Sequence, residues 1–242
     1  FVIKIIVMKR KLVVLTGAGI SAESGIKTFR DADGLWEGHD VMEVASPQGW
    51  HKNSALVLDF YNQRRKQLRK VTPNLGHQVL AELETDFEIH IITQNVDNLH
   101  ERAGSTKVLH LHGELLKVRS TRNENYILDW ESDLNLGDVD PAGHQLRPHI
   151  VWFGEAVPAI LQAVGIVQNA DILVVIGTSL AVYPAASLVN YTKNETPIFV
   201  VDPGQPAIHK ENVIEKALLA AKYPCQNFAN IGTIISQNAK RA

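Results

Sequence analysis

A chain of 242 residues that is 45% hydrophobic and 21% charged carries enough apolar side chains for one substantial core, or one large domain with a small insert. A formal net charge of −2 excludes a general attraction to nucleic acid or to an anionic membrane, and the basic runs Lys9-Arg10-Lys11 and Arg64-Arg65-Lys66 are short enough to be solvated faces. The single cysteine, Cys225, excludes an intrachain disulfide and suits a reducing cytoplasm, the expected compartment.

The opening run FVIKIIVMKRKLVVL is interrupted by Lys4 and has no small-residue cleavage site, so it fits neither a signal peptide nor a membrane anchor; Met8 is the expected natural start. From Leu12 to Arg30 a short β-branched run meets a glycine turn, then small and polar residues able to open a helix. The spacing Gly17-x-Gly19-x-x-Ala22 fits the dinucleotide fingerprint with its permitted small third residue. Backbone N–H groups exposed at such a turn, beside a helix N-terminus, hold phosphate without a lysine. Loops that bind nothing have similar spacing. The acid expected about 20 residues further on, at the end of a second strand, is also missing: Glu37 and Asp40 have roughly that spacing, but GLWEGHDVMEVASPQGW holds too many turn formers to be a strand. Either the fingerprint is a false positive, or something else separates the first two strands.

Residues Asp31 to Trp50 read as an irregular, mobile lid. Ser54 to Lys70 reads as a helix with basic residues gathered at its C-terminal end, and Pro73 stops it. A second helix is expected over His77–Glu84, then a strand over Phe87–Thr93 ending at Gln94-Asn95-Val96-Asp97. Polar side chains at a strand's C-terminal end are where open α/β sheets bind ligands. A short strand over Val108–Leu111 leads into His112-Gly113-Glu114. Val118 to Pro148 is polar and turn-rich, a small inserted module, with Ile150–Gly154 as the return strand. Asp171–Gly177 and Pro197–Val201 are parallel-sheet runs. Ile172 to Val189, the longest apolar region after the N-terminus, contains Pro184 and is too short to span a bilayer, so it reads as a buried strand, a loop and a helix. The expected class is α/β: a Rossmann-like, doubly wound parallel sheet with a small inserted module.

Six motifs then occur together in order: Gly17-Ala18-Gly19-Ile20-Ser21, Thr28-Phe29-Arg30, Thr93-Gln94-Asn95-Val96-Asp97, His112-Gly113, Phe153-Gly154-Glu155 and Gly177-Thr178-Ser179. In order and spacing, from about Met8 to Pro203, the chain resembles the sirtuins, NAD-dependent protein-lysine deacylases. The resemblance implies a Rossmann-like domain whose first crossover is replaced by a cofactor-binding loop, which would explain the misfit of the fingerprint. It implies an NAD-binding domain over 8–35, 75–112 and 150–230, and a small domain over 36–74 and 113–149. Breaking the nicotinamide–ribose bond leaves an oxocarbenium-like sugar that an acyl-lysine oxygen can capture, after which a ribose hydroxyl must lose its proton. The resemblance assigns that base to His112, with Asn95 ordering ribose and water, and Asp97 with the Val96 backbone holding the nicotinamide carboxamide. Gly17, Ala18, Gly19, Glu23 and Arg30 would hold the pyrophosphate and nearby ribose, Thr178 and Ser179 the second ribose, and Thr28, Phe29, Trp36, Gln94, Gly177 and Asp202 complete the cofactor set. On residue type alone His112 could be a hydrogen-bonded structural histidine, and Asn95 and Asp97 helix caps. His110 is expected on the opposite strand face and is read as structural.

Tyr61 and Arg64 lie three apart on the expected helix and share a face. They could be a half-buried tyrosine and a solvated arginine, or a phenol and guanidinium that bind a carboxylate. With small Ala45 upstream they resemble the signature of class III sirtuins, which implies succinyl- and malonyl-lysine as substrates, acetyl-lysine remaining possible. Val151, Phe153 and Gly154 on one side and the Leu180 to Tyr183 loop on the other would dock acyl-lysine proteins or peptides as an added strand; neither nucleic acid nor membrane is an expected partner. Most sirtuins hold the small module with zinc on two cysteine pairs, but no cysteine lies between Glu114 and Pro148. No structural zinc is expected, and Tyr126, Ile127, Leu128 and Trp130 are expected to supply a hydrophobic substitute. Glu215–Ala221 is ambiguous, and Tyr223–Ala242 matches no family element, leaving adenine contacts beyond Asp202 open. Two alternatives stay in view: mono-ADP-ribosyl transfer, against which a tight acyl pocket argues, and a non-catalytic NAD sensor, which would not require a base at the ribose. A hydride-transferring dehydrogenase is disfavoured by the missing second-strand acid.

Overall fold

The computed structural model describes residues 9–27, 35–202, 208 and 213–217. Thr28, Phe29, Arg30 and Cys225 lie outside the described residues, as do the start of the chain and Tyr223–Ala242. The strands are β1 (Lys11–Thr16), β2 (Leu35–Trp36), β3 (His39–Asp40), β4 (Glu88–Thr93), β5 (Val108–His110), β6 (Gly113–Ser120), β7 (Ile127–Asp129), β8 (Leu146–Ile150), β9 (Ile172–Ile176), β10 (Ile198–Val201) and β11 (Val213–Ala217). The α-helices are α1 (Gly19–Ala22), α2 (Val41–Val44), α3 (Pro47–Lys52), α4 (Ser54–Leu68), α5 (Leu75–Glu82), α6 (Leu99–Ala103) and α7 (Ile160–Gln168).

Six strands form one parallel sheet in the order β11-β10-β9-β1-β4-β5. Numbered by its own members this is the doubly wound order, and chain direction across the sheet reverses between β1 and β9. Side chains alternate between the two faces. Leu12 and Val14 of β1 join Ile89, Ile91, Ile172 and Val174 on one side; Val13 and Leu15 join Leu173, Val175 and Val200 on the other. Helices cover both faces, which is why these strands read as unbroken apolar runs.

The long crossover from β1 to β4 carries α4 onto a separate antiparallel sheet ordered β7-β6-β8. Val57, Phe60, Tyr61 and Leu68 of α4 pack with Leu115, Ile150 and Trp152, while Leu58 packs with Val118, Leu134 and Leu146. Tyr126, Leu128 and Trp130 close over that second cluster as expected, but Ile127 does not: it is 41% exposed on edge strand β7, where alternate residues face outward.

A polar hub supplies what apolar patterning did not reveal. Asp140 is buried and accepts from Ser120 Oγ at 2.6 Å, from the amides of Ala142 and His144 at 2.9 Å each, and pairs with His144 Nδ1 at 3.3 Å. The Ser120 bond first, then the His144 amide, lowers its carboxyl from the usual 3.8 to about 2. A carboxylate whose folded value is depressed stabilises above its unfolded value and loses that contribution as pH falls through the folded one. Asp140→Asn is therefore expected to melt below the wild type at pH 7, with the gap closing between pH 4 and 2. A gap that stays constant over that window would remove Asp140 as the staple.

Two expectations need correction, and one stretch left open is settled in part. From Leu35 onward the supposed lid is packed: Asp40 and Ser46 cap α2 and α3 through their side chains, and Val44 and Ala45 are buried beneath α4. The return strand runs over Leu146–Ile150 and ends where Ile150–Gly154 was expected to begin; beyond it Val151 and Phe153 donate their amides to His112 and Ala45 carbonyls in loops. The ambiguous C-terminal stretch contributes edge strand β11 over Val213–Ala217.

Candidate functional site

A cavity of about 500 Å³ lies outside the C-terminal ends of β1, β4 and β9, at the point where the sheet reverses. Gly17, Ala18 and Gly19 form its floor with Gly177, Thr178 and Ser179. The Gly17 amide donates to Ile176 O at 3.0 Å and the Gly19 amide to Gly177 O at 2.8 Å. A Cβ on Gly19 would lie 2.7 Å from Gly177 Cα, so that glycine is required by the approach of two loops. This corrects the picture of a freely exposed run of glycine amides: two of them are committed inside the protein.

The end of β4 is tied to the same turn. Gln94 Nε2 donates to Thr178 Oγ1 at 2.9 Å, and Asn95 Nδ2 donates to Gly17 O and Ser21 Oγ, both at 3.1 Å. Ser21 Oγ donates to Asp97 Oδ2 at 3.0 Å, and the Leu99 amide reaches Asp97 Oδ1 at 3.1 Å. Burial pushes the Asp97 carboxyl up, and those two bonds pull part of the way back. Asn95, Val96 and Asp97 all line the cavity, and Asp97 accepts the Leu99 amide just ahead of α6, whose N-cap residue is Asn98.

His112 lines the cavity, and its Nδ1 lies 3.0 Å from the Gln94 carbonyl oxygen. A carbonyl can only accept, so Nδ1 carries the proton and the neutral ring presents Nε2 as a base. Burial lowers the His112 pKa, and the Gln94 contact only partly restores it. His110 differs in both respects. Its Nδ1 meets Asn95 O at 2.9 Å and its Nε2 meets Glu101 at 2.8 Å, two acceptors that require an imidazolium. Burial opposes that charge, yet the Glu101 contact prevails and the pKa is raised. His110 is structural as expected, though not through strand alternation, which would put residues two apart on one face. The strand ends at His110 and the chain turns before His112.

A third wall brings Trp36, Ala45, Tyr61 and Arg64 to the cavity. Tyr61 is fully buried and accepts from Trp152 Nε1 at 3.0 Å; burial raises its pKa, keeping the phenol protonated. The Arg64 guanidinium lies 4.3 Å from the Trp36 ring centroid, and its Nε and Nη1 are buried with no hydrogen-bond partner among the described residues. Val151, Phe153, Gly154, Tyr183 and Asp202 also reach the cavity, Phe153 and Tyr183 with exposed rings at its mouth. Two expected residues do not. Glu23 is exposed at the C-cap of α1, and Leu180, with φ +53°, packs toward the sheet's second core face. Sequence reasoning missed Ser21, which links Asn95 to Asp97, and Trp152, which reaches Tyr61; both stood within or beside quoted motifs but had no obvious chemistry.

A doubly wound sheet with a glycine turn at its switch point, a polar strand end and a neutral imidazole in the same cavity defines a dinucleotide-type fold. The chain belongs to the Sir2 family, whose family model matches residues 17–184. It is 62% identical over 200 residues to an NAD-dependent protein deacylase of Helicobacter pylori, covering 83% of this chain and 87% of that one. It is 56% identical over 211 residues to an NAD-dependent protein deacylase of Bacteroides thetaiotaomicron, covering 85% and 90%. Among solved structures, a Sir2 homologue–ADP-ribose complex (an F159A mutant) is similar with TM-score 0.82 and 38% identity, covering 96% of this chain and 94% of that one. A Sir2 homolog–NAD complex is similar with TM-score 0.79 and 37% identity, covering 95% and 91%.

Proposed function

We propose that this chain removes acyl groups from protein lysines with NAD as co-substrate, prefers the acidic succinyl and malonyl groups, and also accepts acetyl. Its products would be nicotinamide, O-acyl-ADP-ribose and free lysine. The observation that carries the acyl preference is Arg64, a buried cation at the cavity wall beside Tyr61 whose Nε and Nη1 have no hydrogen-bond partner among the described residues. A cation desolvated without a partner is costly, and a carboxylate taken in by the guanidinium fork would satisfy it.

The residues fit NAD: the cavity is of small-molecule size, and its floor combines a glycine turn with Thr178, Ser179 and Asp202. When bound, NAD supplies an activated nicotinamide–ribose bond whose cleavage lets the acyl group pass to ADP-ribose. Gly17, Ala18 and Gly19 let the pyrophosphate approach the backbone, with Gly177 and Gln94 fixing that turn. Thr178 and Ser179 serve the second ribose, and Trp36 and Asp202 border the cofactor. Asp97 and the Val96 backbone hold the carboxamide, and Asn95 orients the ribose through its side-chain oxygen, its amide nitrogen being committed to Gly17 and Ser21. His112 Nε2 takes the proton from a ribose hydroxyl. Ala45 leaves room for the acyl chain, while Val151, Phe153, Gly154 and Tyr183 border the peptide. The packing of α4 on β6 and β8 supports a small domain over 36–74 and 113–149. The cytoplasm is the proposed compartment, on the single cysteine.

Lysine release from matched succinyl- and acetyl-peptides, with and without NAD, tests this reading. The expected kcat/KM for succinyl exceeds that for acetyl by about tenfold or more. Equal or reversed values would sink the acyl assignment, and NAD binding without cleavage of either peptide would bring the sensor reading forward. Mono-ADP-ribosyl transfer gains nothing from a buried guanidinium at the wall of an acyl pocket.

A further inference from the structure

Tyr61 makes one hydrogen bond among the described residues, and in it the phenol is the acceptor: Trp152 Nε1–H points at its oxygen from 3.0 Å. A phenol O–H lies in the ring plane and has two favourable orientations. An indole N–H directed at one lone pair leaves the phenol proton the other orientation, away from Trp152. Tyr61 and Arg64 both line the cavity, and no acceptor for that proton is found among the described residues, so a group that enters the cavity can receive it.

The indole is itself held from three sides. Arg147 of β8 places its guanidinium 3.3 Å from the Trp152 ring centroid, and Trp50 packs at 5.7 Å. The Trp152 amide donates to Glu155 Oε2 at 2.8 Å, and Glu155 accepts from Arg147 Nη1 at 2.6 Å and from Arg119 Nη2 at 3.3 Å. At 2% exposure the ring has no freedom to follow the substrate. Two strands of the antiparallel sheet thus fix the direction of one proton on α4.

We propose that Trp152 is a positioning residue for acyl-group specificity: its indole N–H makes Tyr61 a one-way donor toward the terminal carboxylate of an acidic acyl chain. The inference rests on the proposed acidic acyl preference. An acetyl group has no carboxylate for Tyr61 to address, so the effect falls on the ratio of the two substrates. Because the bond is pre-formed, it acts on substrate binding and appears in KM more than in kcat.

The test compares the succinyl-to-acetyl ratio of kcat/KM in four enzymes: wild type, Trp152→Phe, Tyr61→Phe and the double variant. Trp152→Phe is expected to lower the ratio about five- to twentyfold, chiefly through the succinyl KM, as loss of one aimed bond to a charged group should. In the Tyr61→Phe background the same change is expected to leave the ratio within about twofold, since there is no phenol left to aim. If Trp152→Phe does not fold, 3-benzothienylalanine in place of Trp152 keeps the bicycle and removes only the N–H. A wild type that prefers succinyl with a ratio unaffected by loss of the N–H would overturn the inference alone. An equal drop in both backgrounds would also overturn it, by showing that the ring acts through packing. A wild type with no succinyl preference would overturn the acyl reading and this inference together.

Discussion

Replacing His112 with alanine is expected to lower NAD-dependent lysine release by about 10²–10⁴-fold, the usual contribution of a positioned general base. The expectation rests on tautomer and pKa together. The Gln94 carbonyl fixes the proton on Nδ1, and burial depresses the pKa below its ordinary 6.5, so Nε2 is unprotonated throughout the neutral range. In the wild type the acid limb of the kcat/KM profile should therefore fall below pH 6.5, and it should disappear from the residual activity of the variant. ADP-ribose binding by calorimetry separates loss of the base from loss of the fold. A variant retaining more than about a tenth of the rate would mean that another group, or solvent, takes the ribose proton.

The sheet and the location of the cavity were legible in sequence for one physical reason. Parallel strands buried on both faces read as apolar runs, and ligands collect where such runs end in polar residues. LVVLT, EIHIIT and DILVVIG each carry that signature, and their ends meet at the cavity. What stayed hidden depends on pairs distant in the chain. Nothing near Tyr61 announces Trp152, and nothing near Ser120 announces Asp140; the first bond exists only once α4 has packed on the antiparallel module, the second only once the loop between β7 and β8 has folded back to the end of β6. The described part of the expected lid, Leu35 to Trp50, reads as mobile in sequence because it is rich in turn formers and its elements are short. Asp40 and Ser46 are helix caps there, a role that needs turn-favouring side chains. His110 and His112 show a finer limit. Residue type and spacing cannot separate an imidazolium held between two acceptors from a neutral imidazole held through Nδ1 alone; the difference is the Glu101 carboxylate at His110 Nε2, a contact that His112 lacks among the described residues.

Arg64→Met should cost activity and leave the fold intact, or even firmer. With a succinyl-peptide, kcat/KM is expected to fall about 30- to 1,000-fold, the range that ~2–4 kcal/mol spans when one partner of a desolvated charge pair is truncated. With an acetyl-peptide, which presents no carboxylate, the change is expected to stay within about threefold. The stability of the unliganded protein should move the other way. Arg64 is 7% exposed, burial is the largest influence on its pKa and lowers it, and the Glu37 and Asp97 carboxylates only partly offset that penalty. Methionine removes the buried charge while its thioether can still rest against the Trp36 ring, where the guanidinium lies 4.3 Å away. The variant is therefore expected to melt at or above the wild-type temperature without ligand, and to lose the extra stabilisation that a succinyl-peptide confers on the wild type. A drop of several degrees without ligand would mean that the cation–π contact with Trp36 outweighs desolvation. If the melting temperature holds while the succinyl preference collapses, Arg64 is a charge kept buried for its substrate at the expense of the resting fold.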